Sequence, residues 1–175
     1  MALTVEDGTG LAAADSYLSE ADADTYHTNH GNPSAWSGAT SSAKEEALRL
    51  GTQYLDVVYQ LRWKGRKVSS SMALDWPRTS VHDESGYLVS SSAVPQAIKD
   101  ACAVAALEHV NAAAASTSLL PNQASPGGID AERVKVGPIE VETDYSGSAS
   151  QQKAYTLLEA ILSDLIWQSG EAVRA

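Results

Sequence analysis

The sequence predicts a mainly α protein, a small bundle of about four helices that carries a projecting extended loop or β-hairpin. Three observations predict it. Apolar residues recur at helical spacing in segments at about 41–59, 95–114 and 150–168. Alanine is abundant while phenylalanine is absent, a composition that lets helices approach closely. One stretch, Val134 to Tyr145, instead alternates apolar and polar residues on both sides of Gly137-Pro138. At 175 residues and 43% hydrophobic content the chain is expected to form one domain with its own core.

Each element has a local cause. Leu3 to Val5 reads as a short strand, followed by a flexible Gly8-Thr9-Gly10 and a second extended piece at Ser16 to Leu18. Ser19-Glu20-Ala21-Asp22 reads as a helix start, with a serine cap and a carboxylate three residues on, so the first helix spans about 19–30. Gly31 supplies a left-handed stop and Pro33 forbids continuation. The second helix, about 41–59, has a stripe of Ala47, Gly51, Tyr54, Leu55 and Val58 that Leu48, Leu50 and Leu61 widen. Glu45 and Arg49 lie four apart in the favourable order on another side. Val81 to Ser92 is polar and turn-rich. Pro95 then opens a third helix reaching about 114, apolar almost all round and therefore central. A Ser/Ala/Pro/Gly stretch and the alternating segment make a loop and β element over about 115–147. The last helix, about 150–168, has a wider apolar face than a small bundle needs.

Composition excludes several function classes. The net charge of −10 argues against a general polyanion binder, whose affinity comes from neutralising phosphates. The single Cys102 excludes an internal disulfide framework and fits a reducing compartment. No apolar run reaches bilayer length, and the first residues lack a basic region followed by an apolar one, so a soluble, cytoplasmic protein is expected. His27 and His30 lack further ligands at useful spacing and read as surface histidines. Ser80, His82 and Asp83 are triad residue types, but neighbours in one turn cannot converge on each other. Cys102 in an Ala-rich helix reads as a small core residue, and Gly8-Thr9-Gly10 lacks the Gly-Lys-Ser/Thr of a phosphate loop. No catalytic residue, cofactor site or metal site emerges.

The most informative stretch is Arg62 to Arg78. It holds five of the twelve Lys and Arg residues and two of the four tryptophans. Gly65, Ser69 to Ser71 and Pro77 make it a poor helix. Trp63, Trp76 and Pro77 read as core anchors of a connecting loop, since an indole buries a large area and ties down its N–H. Arg62, Lys64, Arg66, Lys67 and Arg78 have two readings. With the tryptophans they have the ingredients of a single-strand nucleic-acid platform. Alternatively they pair with acidic surface, their own or that of a neighbouring identical subunit in a head-to-tail contact.

Several segments in order carry a resemblance to a known family. They are Val5-Glu6-Asp7-Gly8-Thr9-Gly10 leading to Ser16-Tyr17-Leu18-Ser19, Ala47-Leu48 to Tyr54-Leu55-Asp56, and Trp63-Lys64-Gly65. Leu74-Asp75-Trp76-Pro77-Arg78, Val94-Pro95 and Val136-Gly137-Pro138-Ile139-Glu140-Val141 complete the set. The chain thereby resembles the head-to-tail adaptor (head-completion, neck) proteins of tailed bacteriophages, in a group labelled DnaT-like and single-stranded-DNA-binding by analogy with a primosomal protein. The step from Val141 to Tyr145 through Glu142-Thr143-Asp144 is longer than the resemblance implies and leaves the hairpin register open. The resemblance implies one adaptor domain over 1–175 and a homo-oligomeric ring of twelve copies. That ring would sit between the portal protein and a tail-side neck or tail-completion protein, in the neck of a virion assembled in the host cytoplasm. Double-stranded DNA would pass through it, with no catalysis, cofactor or membrane involved. On that reading Val134, Val136, Ile139, Val141 and Tyr145 join the basic residues as inter-subunit contacts, because their alternation leaves a pairing edge. Leu165, Ile166, Trp167, Val173 and Arg174 become the candidate portal contact, with Trp167 as the anchor.

Overall fold

Two long helices, α3 (Ser41–Tyr59) and α4 (Gln96–Ala114), pack against each other and set the positions of everything else. The computed structural model of the chain describes residues 3–114, 131–136, 139–144 and 156–167. Thr40 caps α3 by accepting from the Ala43 N–H, and the helix buries Ala47, Leu48, Gly51, Tyr54 and Leu55. On α4 the buried face includes Ile98, Ala101, Cys102 and Ala105. Gly51 sets how close the two helices come. A methyl group on its Cα would lie 3.0 Å from the Ala106 N and 3.2 Å from the Cys102 carbonyl oxygen. Gly51→Leu is therefore expected to wedge the helices apart and cost about 1–3 kcal/mol, read as a lower urea midpoint.

The apolar stripe expected on α3 runs too far. Val58 is exposed and Leu61 is 95% exposed. The helix stops at Tyr59, and the Arg62 and Trp63 N–H groups turn back onto the Tyr59 carbonyl, which carries Leu61 off the buried face.

The first helix, α1 (Glu20–Asn29), starts as its sequence predicts, with Ser19 accepting from the Asp22 N–H at 3.1 Å. Gly31, at φ +94°, follows its last turn. A one-turn helix, α2 (Ser34–Ser37), comes next and carries the buried Trp36. The Trp36 indole donates to Asp24 at 2.7 Å, and Lys44 Nζ reaches the same carboxylate oxygen, so one acid ties α1, α2 and α3 together. His27 packs on the Trp36 ring at 4.5 Å and is only 2% exposed, which corrects its reading as a surface residue. Burial depresses its pKa below the ordinary histidine value. His30 is exposed and stacks on Tyr26.

Between α3 and α4 the chain makes a two-rung ladder that helix-breaking residues alone do not reveal. Strand β1 (Arg66–Lys67) pairs antiparallel with β2 (Arg78–Thr79). A second turn follows, in which Tyr87 N–H donates to the Asp83 carboxylate and Val89 N–H to the Val81 carbonyl. At the other end, α5 (Thr156–Leu162) packs on α4 and runs into a 3-10 turn, Ser163–Leu165. The helix expected over about 150–168 thus ends early, and residues 150–155 and 168 lie outside the described residues. Ile166 is extended and pairs with Trp63 instead, with the Lys64 N–H donating to the Leu165 carbonyl and the Trp167 N–H to the Arg62 carbonyl.

The chain divides into two compact units, Met1–Leu119 with Thr156–Ala175, and Leu120–Tyr155. The second contains the hairpin of β3 (Ala131–Val136) and β4 (Ile139–Asp144). Its register runs from Ala131 opposite Asp144 to Val136 opposite Ile139, which settles the pairing the sequence left open. Among the described residues neither strand pairs with any other. Tyr145, all of residues 115–130 and Gly137-Pro138 lie outside the described residues. Among the described residues the architecture is mainly helical, with five α-helices, one 3-10 turn, the short β1–β2 ladder and the two-stranded antiparallel β3–β4 hairpin.

Candidate functional site

Segments far apart in sequence meet near the end of the Arg62 to Arg78 stretch, and a tyrosine hydroxyl is their hub. Tyr17, fully buried, donates its O–H to the Asp56 carboxylate on α3. The same oxygen accepts from the Asp75 and Trp76 N–H groups at 3.0 and 3.2 Å. The second Asp56 oxygen accepts from the Asp75 N–H at 3.2 Å. Lys67 on β1 pairs with Asp75 at 3.2 Å. Burial, reinforced by the nearby Asp75 charge, pushes the Asp56 carboxyl up to about 7 in spite of its hydrogen bonds. Burial and the Asp56 charge likewise raise Tyr17 well above the ordinary phenol value.

A second buried acid organises the N-terminal loop. Glu6, 2% exposed, accepts backbone N–H bonds from Gly8, Gly10 and Leu11 at 2.8 to 2.9 Å. This carboxylate closes the Glu6-Asp7-Gly8-Thr9-Gly10 turn. The loop is then held against the connection, where the Ala73 N–H donates to the Leu11 carbonyl. The glycine pattern thus serves backbone capture by a carboxylate.

The tryptophans are packing groups. Trp76 is fully buried and Trp63 nearly so, with ring centroids 5.7 Å apart in an edge-to-face pair, and Tyr59 flanks Trp63 at 5.5 Å. Pro77, after a cis peptide bond, is buried with them. The expectation that the indole N–H groups are tied down fails. Neither Trp63 Nε1 nor Trp76 Nε1 has a partner among the described residues. The balance still favours burial. An indole removes roughly 200 Å² from water, worth about 5 kcal/mol, against about 1–3 kcal/mol for an unpaired donor.

Most of the basic residues are also engaged inside the molecule. Arg78 forks onto the Lys64 and Gly65 carbonyls at 2.8 and 2.9 Å and reaches the Asp75 carbonyl at 3.3 Å. Gly65 sits at φ +69°, with no room for a side chain beside Thr79 and Val81. Arg62 pairs with Glu159 on α5 at 2.7 Å, and Lys64 Nζ donates to the Asp164 carbonyl at 3.0 Å. Arg66 is exposed and makes no ion pair among the described residues. Arg78→Lys is expected to cost about 1–2 kcal/mol, because an ammonium cannot span a fork of carbonyls. Arg62→Ala should cost under about 1 kcal/mol, as befits a half-exposed pair. Chemical denaturation of both variants separates the two cases.

The C-terminal candidates divide. Leu165 and Ile166 are 3% and 1% exposed and belong to the core, so they are not available as portal contacts. Trp167 is 38% exposed, with Lys64 Nζ over its ring at 5.7 Å. Val173 and Arg174 lie outside the described residues.

Chemistry is sparse elsewhere. Burial pushes the Cys102 thiol up to about 11, which leaves it un-ionised and inert. Among the described residues no group of three or more His, Cys, Asp or Glu could hold a metal ion, and no helix is long and apolar enough to cross a membrane. A polar cleft of about 370 Å³ between α1 and the start of α4 is lined by Asp22, Tyr26, His30 and Lys99 among others. It brings together neither a nucleophile and base nor a buried charge. Sequence reasoning missed Glu6, Tyr17 and Asp56 as a structural set, although each lies in a segment it singled out. The signal was there in two acids placed within otherwise apolar or glycine-rich motifs.

A family model matches the chain over residues 1–175, that of the family described as "Putative DnaT-like ssDNA binding protein", and the chain belongs to this family. The description is of a binding protein, and the chain is not an enzyme. No curated protein and no solved structure matches it.

Proposed function

We propose that this family member is a structural virion protein, a head-to-tail adaptor of a tailed bacteriophage. Twelve copies form a ring between the portal protein and a tail-side neck protein, and double-stranded DNA passes through it. The observation that carries the reading is the use made of the Arg62 to Arg78 stretch. Its tryptophans are buried against each other, and four of its five basic residues are held by the chain's own carbonyls and carboxylates. A stretch so used is a scaffold. The acidic balance of the chain also suits a tunnel that must release passing DNA.

The family description favours a second reading, a single-stranded-DNA-binding module. That module would need stacking faces and free cations. Arg66 and the exposed rings of Tyr87 and Trp167 are among what the described surface offers it. Titration with labelled single-stranded DNA over a range of salt separates the two. Adaptor chemistry is expected to give weak binding with a shallow salt slope. Tight binding that falls steeply with salt, lost in Arg66→Ala and Trp167→Ala, would favour the module.

A further inference from the structure

On one of its two faces the β3–β4 hairpin carries its charges by strand. The register places Val134 opposite Val141 and Val136 opposite Ile139, and strand alternation puts these four positions on one face, with Glu132 opposite Thr143 at its end. The other face takes Ala131, Arg133 and Lys135 from β3, and Glu140, Glu142 and Asp144 from β4. On that face β3 is therefore a basic strand and β4 an acidic one. Both outer edges are unpaired among the described residues, and a two-stranded hairpin is marginal by itself.

We infer that the hairpin is a head-to-tail pairing element, in which β4 of one copy lies beside β3 of the next copy of this chain. The inference rests on the ring reading and adds to it the strand, the direction and the residues. Three choices of partner edge exist, and charge selects among them. Pairing β3 with β3 sets Arg133 and Lys135 against the same residues, and pairing β4 with β4 sets acid against acid. Like charges opposite one another destabilise a sheet. Pairing β4 with a neighbour's β3 brings Glu140 and Glu142 beside Lys135 and Arg133, as they already are within one hairpin. It also continues the antiparallel order when all hairpins point the same way. A two-fold dimer uses one edge twice, whereas a heterologous contact uses the two different edges. The segregation of charge thus disfavours the dimer and favours a head-to-tail contact, the kind that closes into a ring when the rotation between copies permits. In a ring closed by this contact the positions of Val134, Val136, Ile139 and Val141 form a continuous row from copy to copy, and no edge remains open.

The test uses two full-length variants. The first is Arg133→Glu with Lys135→Glu, which makes both strands acidic; the second is Glu140→Lys with Glu142→Lys, which makes both basic. Assembly is followed by sedimentation, with and without portal rings, for the native chain, each variant and their equimolar mixture. Each variant alone should need a concentration roughly tenfold or more higher to assemble. The mixture should recover, as complexes with even numbers of subunits in which the variants alternate. Recovery cannot come from repaired hairpins, since like charges still face each other within every chain. Variants that assemble like the native chain, or a mixture that stays as poor as its components, would overturn the inference. In the first of these cases the ring reading stands. A native chain that never assembles, even on portal, removes the ring reading and this one with it.

Discussion

Trp76→Ala is expected to bring the helical unit close to unfolding. The residue is fully buried, packs edge-to-face on Trp63 and lies beside the Tyr17 hub. Truncating such a side chain costs about 3–5 kcal/mol, set against a total stability of about 5–15 kcal/mol for a domain. Calorimetry should show a fall in Tm of roughly 10–20 °C. Trp76→Phe should lose much less, because the indole N–H it removes has no partner among the described residues. Equal losses in the two variants would mean that the N–H is satisfied by a group outside them. Iodide quenching reports on the same packing. Trp36, Trp63 and Trp76 are shielded, so quenching should be confined to Trp167 and vanish in Trp167→Phe.

The second large effect is a pH dependence localised to Asp56. Its carboxyl titrates near 7 in the folded chain against 3.8 ordinarily, so the folded state holds a proton that the unfolded state has released. The sign follows from linkage. Between about pH 4 and 7 the native state binds more protons, and stability falls as the pH rises through that window. At roughly 1.4 kcal/mol per unit, and allowing for residual solvent, the loss is on the order of 2–4 kcal/mol. The groups facing Asp56 are Tyr17 from the N-terminal segment, Lys67, Asp75 and Arg78 from the connection, and Cys102 from α4. Lys67 opposes the shift and Asp75 reinforces it. Asp56→Asn should remove this slope from urea-derived stabilities measured at pH 4, 5.5, 7 and 8. A variant whose profile runs parallel to the native one would show that Asp56 is already ionised in the fold.

How far these features could be read in the sequence depended on their range. The faces of α3 and α4 repeat their signal over 19 residues each, so periodicity found them. Alternation marked the extended segment, which it read as one bent strand or a hairpin, and the pairing of β3 with β4 decides for the hairpin. Elements made by tertiary contact were illegible. α2 has four residues and owes its place to Trp36 and Asp24, and β1–β2 has two rungs closed by Arg78. The last helix was read too long because its apolar residues continue through Ile166, while the backbone leaves the helix to pair with Trp63. Burial of His27 could not be foreseen without Trp36 beside it. The Tyr17, Asp56 and Asp75 set joins residues 39 and 58 positions apart. Each segment was visible as a motif, but their convergence was not.

Packing in the Arg62 to Arg78 stretch and charge segregation in the hairpin lead to one claim, that the chain works as a ring. The most direct measurement is the mass of the assembled particle, by sedimentation or native mass spectrometry, for the chain alone and mixed with portal rings. The expected result is a closed particle with twelve copies bound per portal ring, unchanged when single-stranded DNA is added. A chain that stays monomeric with portal, yet binds single-stranded DNA with an affinity falling steeply with salt, would contradict it.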